Sequence, residues 1–383
     1  MNKGKYVFSQ LLSFLDPFVF LRISKKYGGD KYVKTFSCWN QLAVMMFGQL
    51  SNRESLTDLV LATHAHANKA FHLGFGKHAS KSTLADANAN RDYRIFEEFA
   101  YRVMAEARQC KATEIFKLGG KVYAFDSSTI DLCLSVFSWA LFRKKKGGIK
   151  LHTLYDIETQ IPTFFHITPA RNHDTRAMDA IPYEENSFYI FDRAYNDFGR
   201  LFTIDGVGAY FVVRGKKNND FKPMRWKRRL PAGVMSDAVG YMDGQLTMSK
   251  YPEKIRRILY PESGRTFIFF TNALNINPLK VAELYHNRWQ IELFFKWLKQ
   301  HLKVKKFWGQ TENAVRIQIY TAVTAYCMMA IVQKKMAVQR SIYEMLQLVS
   351  ASLTDTVELK TLFCKPNCNI VNEPDGSTEP TLF

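Results

Sequence analysis

Cysteine pairs, long apolar runs and acidic side chains are all scarce in this 383-residue chain. The six cysteines, Cys38, Cys110, Cys133, Cys327, Cys364 and Cys368, are scattered without a CxxC pair, which argues against a zinc or thiol-redox site and for buried free thiols in a reducing compartment. No run of about 18 uncharged apolar residues is present, and Met1 to Tyr6 lack the apolar core of a secretory signal. A soluble intracellular protein without a membrane partner is expected. Acids number 35 against 53 Lys+Arg, a formal net charge of +18. With 47% hydrophobic and 14% aromatic residues the chain can bury a sizeable core, so wholesale disorder is excluded and two or three domains are expected.

The charge is unevenly spread. Residues 211–310 hold 20 Lys+Arg against 7 Asp+Glu, whereas residues 121–210 hold 10 against 11. A localised basic surface gains affinity for polyanions by releasing counterions at phosphates, which makes nucleic acid the leading partner. The alternative is a solvated surface that keeps the protein soluble.

Residues 7–24 and 38–63 are apolar at helical spacing, the second stretch interrupted at Ser51–Ser55. Helix continues over Lys81–Asn88 and Tyr93–Ala107, so residues 1–118 read as a helical domain. After Gly119-Gly120 the pattern changes. Lys121–Asp126 is a short apolar strand ending on a carboxylate, and Ile149–Tyr155 and Ile161–Thr168 form a hairpin. Ser187–Asp192 is a buried strand that again ends on a carboxylate, followed by a helix (Asp197–Ile204) and a strand (Ala209–Val213). Three antiparallel strands and then alternating helices and strands describe an α/β, ribonuclease-H-like mixed sheet core over 119–310. A β-rich insertion is expected at about 216–272, and one long helix from Pro278 to about His301 with Asn277 as its N-cap. Residues 311–368 read as a helical C-terminal portion and 369–383 as a loose tail.

Asp126 and Asp192 end strands that would be neighbours, at the carboxyl edge where such sheets bind ligands. Converging carboxylates are costly unless a cation neutralises them, and hard divalent ions take such oxygen ligands together with substrate phosphates. The alternative is that each aspartate merely caps the loop or helix after it. On the long helix, Tyr285, Arg288, Glu292 and Lys299 share one narrow stripe at the rim of an apolar arc formed by Leu284, Ile291, Phe294, Phe295 and Leu298.

The spacing of Tyr285, Arg288, Glu292 and Lys299 is the complete Y-R-E-K signature, and the chain resembles the DDE-type bacterial transposases of the insertion-sequence-four family. Asp126–Leu132 is similar to that family's first aspartate motif and Asp192–Asp197 to its second. The resemblance spans nearly the whole chain. It implies that Asp126, Asp192 and Glu292 are catalytic and bind two Mg²⁺ ions, with Mn²⁺ able to substitute, for cleavage and strand transfer at phosphodiesters. It further implies double-stranded DNA as partner (transposon ends and target), a homodimer on DNA, and residence in the bacterial cytoplasm with the nucleoid. Tyr285, Arg288, Lys299, Lys296, Arg193 and Tyr195 would contact DNA, and Trp226 would stack an extruded base.

Other residues have plainer readings. His64, His66, His72 and His78 are irregularly spaced and lack cysteine partners, so surface histidines are expected rather than a metal cluster. Arg143–Lys146 is a basic loop, either DNA-contacting or solvated. Asp131 competes with Asp126 but lies five residues beyond it, and Asp156, Glu158 and Asp174 fall in turns or at a helix start where acids are locally favoured. The functional expectation is a DNA transposase acting on terminal inverted repeats. The alternatives are a ribonuclease-H-like nuclease without strand transfer and a catalytically inactive DNA-binding regulator.

Overall fold

The computed structural model describes residues 4–77, 79–111, 115–132, 137, 139–143, 146–301 and 307–364. The apolar stretch at 7–24 forms two helices, α1 (Val7–Leu12) and α2 (Pro17–Lys26), because Asp16 caps the second one through Phe18 N and Val19 N and Pro17 takes its first position. Next come α3 (Cys38–Leu50), α4 (Leu56–Ala65), α5 (Lys81–Asn90) and α6 (Arg94–Lys111). Ser37, Ser55 and Ser80 cap α3, α4 and α5, each accepting a main-chain N–H.

The sheet starts with β1 (Val122–Leu132), β2 (Leu141–Arg143), β3 (Lys146–Asp156) and β4 (Ile161–Pro169), and continues with β5 (Phe188–Phe191), α7 (Phe198–Gly206) and β6 (Tyr210–Arg214). In space β4 pairs β3 and β3 pairs β1, both antiparallel, while β5 runs parallel to β1 and β6 parallel to β5. This is the ribonuclease-H-like core. The Arg143–Lys146 segment is the tip of a β2–β3 hairpin in which these two residues pair; Lys144 and Lys145 lie outside the described residues.

The insertion is not a separate subdomain. Its strands β7 (Phe221–Trp226), β8 (Ser236–Met242), β9 (Ile255–Glu262) and β10 (Arg265–Thr271), with α8 (Gln245–Lys250) between β8 and β9, extend the core sheet in the order β6-β10-β9-β8-β7. The antiparallel return of β10 onto β6 satisfies an edge that would otherwise carry unpaired main-chain groups. Arg256 ties this extension down. Fully buried, it binds both oxygens of Asp237 and donates to the carbonyls of Ala273 and Ile276 in the segment that follows β10.

The expected single helix after the insertion is two, α9 (Pro278–His286) and α10 (Trp289–His301). Asn277 caps α9 and Pro278 opens it, as its sequence indicates. At the junction Arg288 N bonds Tyr285 O and Ile291 N bonds Arg288 O, three-residue steps that wind more tightly than an α-helix. A constant 100° step therefore misplaces the residues on either side.

The C-terminal helices are α11 (Glu312–Lys335), α12 (Ile342–Ser352) and α13 (Leu359–Phe363). Among the described residues α11 is the one helix long and apolar enough to cross a membrane, and α3, α6 and α12 pack around it. Helices from both ends of the chain thus share one core with one face of the sheet, so positions 118 and 311 mark changes of element rather than separate cores. Val122, Ala124 and Ile190 point to that face, while Tyr123, Phe125 and Phe191 point to the opposite face, where α7 packs. The tail at 369–383 lies outside the described residues.

Candidate active site

Strand register assembles the site. β1 and β5 pair from Val122↔Phe188 to Phe125↔Phe191, and β5 pairs β6 as far as Phe191↔Val213. Asp126, Asp192 and Arg214 therefore stand side by side, one residue past the last pair, and alternation turns all three to the helical face. β1 does not end at Asp126: it runs on to Leu132 along β3, and it is the pairing with β5 that stops there. α9 lies over β5 and β6, and α10 over β1.

The carboxylates meet through α9 and α10 rather than directly. Tyr285 Oη donates to Asp192 Oδ1 at 3.1 Å. Arg288, its side chain 12% exposed, donates from Nη1 to Asp126 Oδ2 at 2.8 Å and from Nη2 to Glu292 Oε1. Its guanidinium also lies 5.7 Å from the Tyr285 ring centre. Burial works against the Arg288 charge, but Asp126, Tyr285 and Glu292 more than offset it and raise its pKa. Burial likewise raises the Tyr285 phenol, with Asp192 adding to the effect.

Asp126 has a raised carboxyl pKa. Burial pushes its carboxyl up to about 6; Arg288 and the Ser127 N–H pull it back, and Glu292 and Asp192 push it further. The folded carboxyl thus holds its proton more tightly than the unfolded one, whose pKa is about 3.9. Its contribution to stability is complete below pH ~4 and is lost as pH rises through about 6. Asp126→Asn is expected to flatten that part of the metal-free stability profile and to melt no lower than wild type at neutral pH, as read by thermal unfolding.

These residues suit a divalent cation in chemistry, since carboxylate oxygens are the ligands that hard cations take. In arrangement, Arg288 is the positive charge now between Asp126 and Glu292, and among the described residues no three acids, histidines or cysteines meet closely enough to hold an ion. Asp126, Asp192 and Glu292 would be the ligands once the guanidinium turns away.

The other expected contacts divide. Arg193 and Lys296 are exposed, and Lys299 is half-buried near the end of α10. Tyr195 is fully buried, packed against Phe125 and Phe191 beneath the acids, so its ring cannot meet DNA there. Trp226 is half exposed on β7, five strands from β5, which at ~4.8 Å per strand is about 24 Å along the sheet. Trp226 is thus set apart from Asp192 in the sheet. A groove of about 620 Å³ does adjoin Glu292, lined by Arg214, Phe267, Phe269, Tyr285, Trp289 and Glu292. Arg214 lies 4.6 Å over the Phe267 ring, and Trp289 is 47% exposed. Sequence reasoning missed both residues, although Arg214 is the first charge after a buried strand, the same signal that marks the two aspartates.

His64 and His72 are exposed and His66 packs edge-on to Phe47, while His78 lies outside the described residues. Asp131 is exposed on β1, Asp156 is buried against Arg108, and Glu158 accepts from Phe116 N. Cys38 and Cys327 are buried thiols but Cys364 is exposed; Cys133 and Cys368 lie outside the described residues.

A ribonuclease-H-like sheet with aspartates past two neighbouring parallel strands, and a glutamate on the helix after a β insertion, defines the DDE class of DNA-processing enzymes. Residues 117–328 match the family described as Transposase DDE domain, and residues 3–76 one described as Domain of unknown function (DUF4372). The chain belongs to the DDE transposases of insertion sequences, of the insertion-sequence-four family. It is 31% identical to the transposase y4zB of Sinorhizobium fredii over 75% of this chain and 81% of the relative. It is 28% identical to a transposase for insertion sequence element IS5377 of Geobacillus stearothermophilus, over 53% of this chain and 54% of that one. A third relative, a transposase for insertion sequence element IS4SA of Synechocystis, is 26% identical over 66% of this chain and 71% of its own length. The protein is thus a transposase, an enzyme of the divalent-metal-dependent DDE class that acts on DNA.

Proposed function

We propose that the protein binds the terminal inverted repeats of its insertion sequence and carries out strand cleavage and strand transfer, with Asp126, Asp192 and Glu292 as ligands of two Mg²⁺ ions, which Mn²⁺ can replace. The observation that carries this reading is the side-by-side position of Asp126 and Asp192 on the face where Glu292 is held through Arg288. When bound, the metal supplies charge stabilisation at the phosphodiester and lowers the pKa of the attacking water or 3′-hydroxyl. Tyr285 orients Asp192 by donating to Oδ1. Arg288 turns from the carboxylates to a DNA phosphate, which its two donor edges can grip as a fork. Arg193 and Lys296, exposed at the rim, add phosphate contacts, and Lys299 supports the same backbone from the next turns of α10. One copy at each end of the element gives a homodimer on DNA in the bacterial cytoplasm.

Incubation with Mg²⁺ and a duplex carrying the element's ends tests this directly. A nick at the element boundary, and joined product once target DNA is added, are expected. Cleavage without joining leaves the nuclease, and binding without either leaves the regulator. An extruded base has its stacking site in the groove at Trp289, so Trp289→Ala slows end cleavage about tenfold, from the ~1–3 kcal/mol that stacking one base contributes. Trp226→Ala leaves that rate unchanged in the same nicking assay.

A further inference from the structure

Four polar side chains gather behind Asp126, on the sheet face opposite its carboxylate. Ser127 Oγ donates to Asp174 Oδ1 at 2.7 Å, and Lys150 Nζ meets the same oxygen at 3.0 Å while also donating to Asn172 O. His152, fully buried, holds Nδ1 3.9 Å from that oxygen and bonds Thr168 through Nε2. None of these groups lines the groove, and the buried Tyr195 hydroxyl lies beside Ser127 and Asp174. Their link to the site is Ser127 itself, whose main-chain N–H donates to Asp126 Oδ1 at 2.8 Å.

Asp126 is therefore held twice: Oδ1 by the N–H of its own strand and Oδ2 by Arg288. If Arg288 leaves for a phosphate, the Ser127 N–H is the contact that still fixes the carboxylate. The direction of that N–H depends on the main chain at residues 126–127. There β1 has lost β5 as a neighbour and is paired only on the β3 side, through Asp126↔Thr153 and Ser127↔His152. Asp174 opens the 3₁₀ turn Asp174–Ala180, which packs against the Arg193–Tyr195 turn where β5 has ended. It supplies the missing tie by gripping the Ser127 hydroxyl, and Lys150 balances its charge so that it adds little to the repulsion among the acids.

We infer that Asp174 is a positioning residue: through the Ser127 hydroxyl it holds the main chain that aims Asp126 at the metal. The inference rests on the reading of Asp126 as a metal ligand. Partners that orient a ligand typically change metal affinity ten- to a hundredfold when removed.

The test measures Mn²⁺ binding by the full-length protein with one equivalent of a short duplex carrying the element's ends, as the loss of the free-ion electron paramagnetic resonance signal beyond that caused by the same duplex alone. Ser127→Ala and Asp174→Ala should each weaken binding by about tenfold or more. Ser127→Thr, which keeps a hydroxyl, and Asp174→Asn, which keeps an acceptor oxygen, should stay near wild type, and they retain the comparison if the alanine variants fold poorly. The double alanine variant should bind no more weakly than either single one, because both break the same chain of contacts. Unchanged affinity in both alanine variants, or effects that add in the double variant, overturns the inference provided that Asp126→Asn abolishes binding. Full Mn²⁺ binding by Asp126→Asn overturns instead the reading of Asp126 on which the inference rests.

Discussion

Asp192→Asn lowers nicking of the element's ends by about 10³-fold or more while leaving duplex binding near wild type. The magnitude follows from the work a bound metal does: several kcal/mol of charge stabilisation in the transition state, with about 1.4 kcal/mol per tenfold in rate. Asp192 projects past the end of β5 beside Asp126, and Tyr285 holds one of its oxygens. An amide at that position keeps its size and most of its hydrogen bonding but loses the charge that a hard cation takes. Asp126→Asn and Glu292→Gln should behave alike, since each removes one anionic ligand from the same set. A mobility-shift titration run beside the nicking assay separates chemistry from binding. Wild-type nicking by any one of the three variants would remove that residue from the proposed metal site.

Arg288→Ala has the second large effect, and it appears even without DNA. The guanidinium is the only cation bonded to Asp126 in the described structure, and both side chains are largely buried. Removing one partner of such a pair leaves an uncompensated charge at a cost of about 3–5 kcal/mol when burial is complete; here, with 22% of the Asp126 side chain exposed, about 2 kcal/mol is expected. The loss is largest at neutral pH and shrinks as acid protonates Asp126. Adding Asp126→Asn to Arg288→Ala should restore most of it, because the orphaned charge is gone. Thermal unfolding of the single and double variants at two pH values reads this out, and equal losses at both would show that the ion pair does not stabilise the fold. On DNA, Arg288→Ala should in addition flatten the salt dependence of binding by about one phosphate contact.

Much of this site was legible because its signals are local. An apolar run closed by a carboxylate identifies Asp126 and Asp192, and the spacing from Tyr285 to Glu292 survives the helix break between them. What was hidden depends on partners distant in sequence. Nothing around Phe267–Phe270 says that β10 will pair with β6 rather than close an independent subdomain, and that pairing carries Trp226 away from the acids. Tyr195 follows a motif aspartate closely enough to suggest a contact, yet its side chain turns into the core between Phe125 and Phe191. The tight winding at Asn287–Arg288, from which Arg288 reaches both Asp126 and Glu292, is encoded in no periodicity. Asp174 reads as a turn acid in the sequence, whereas in the fold its Oδ1 takes both Ser127 and Lys150.

The unbroken sheet from β1 to β7 makes the molecule a ruler. Hydrogen-bonded strands cannot slide apart, so the interval between Asp192 and the edge strand carrying the cations Lys222 and Arg225 is fixed at about 24 Å along the sheet, some seven base-pair rises of ~3.4 Å. A duplex resting on both at once would span about that many base pairs between them. Adding one strand between them would lengthen that span by about one to two base pairs while leaving Asp126, Asp192 and Glu292 untouched.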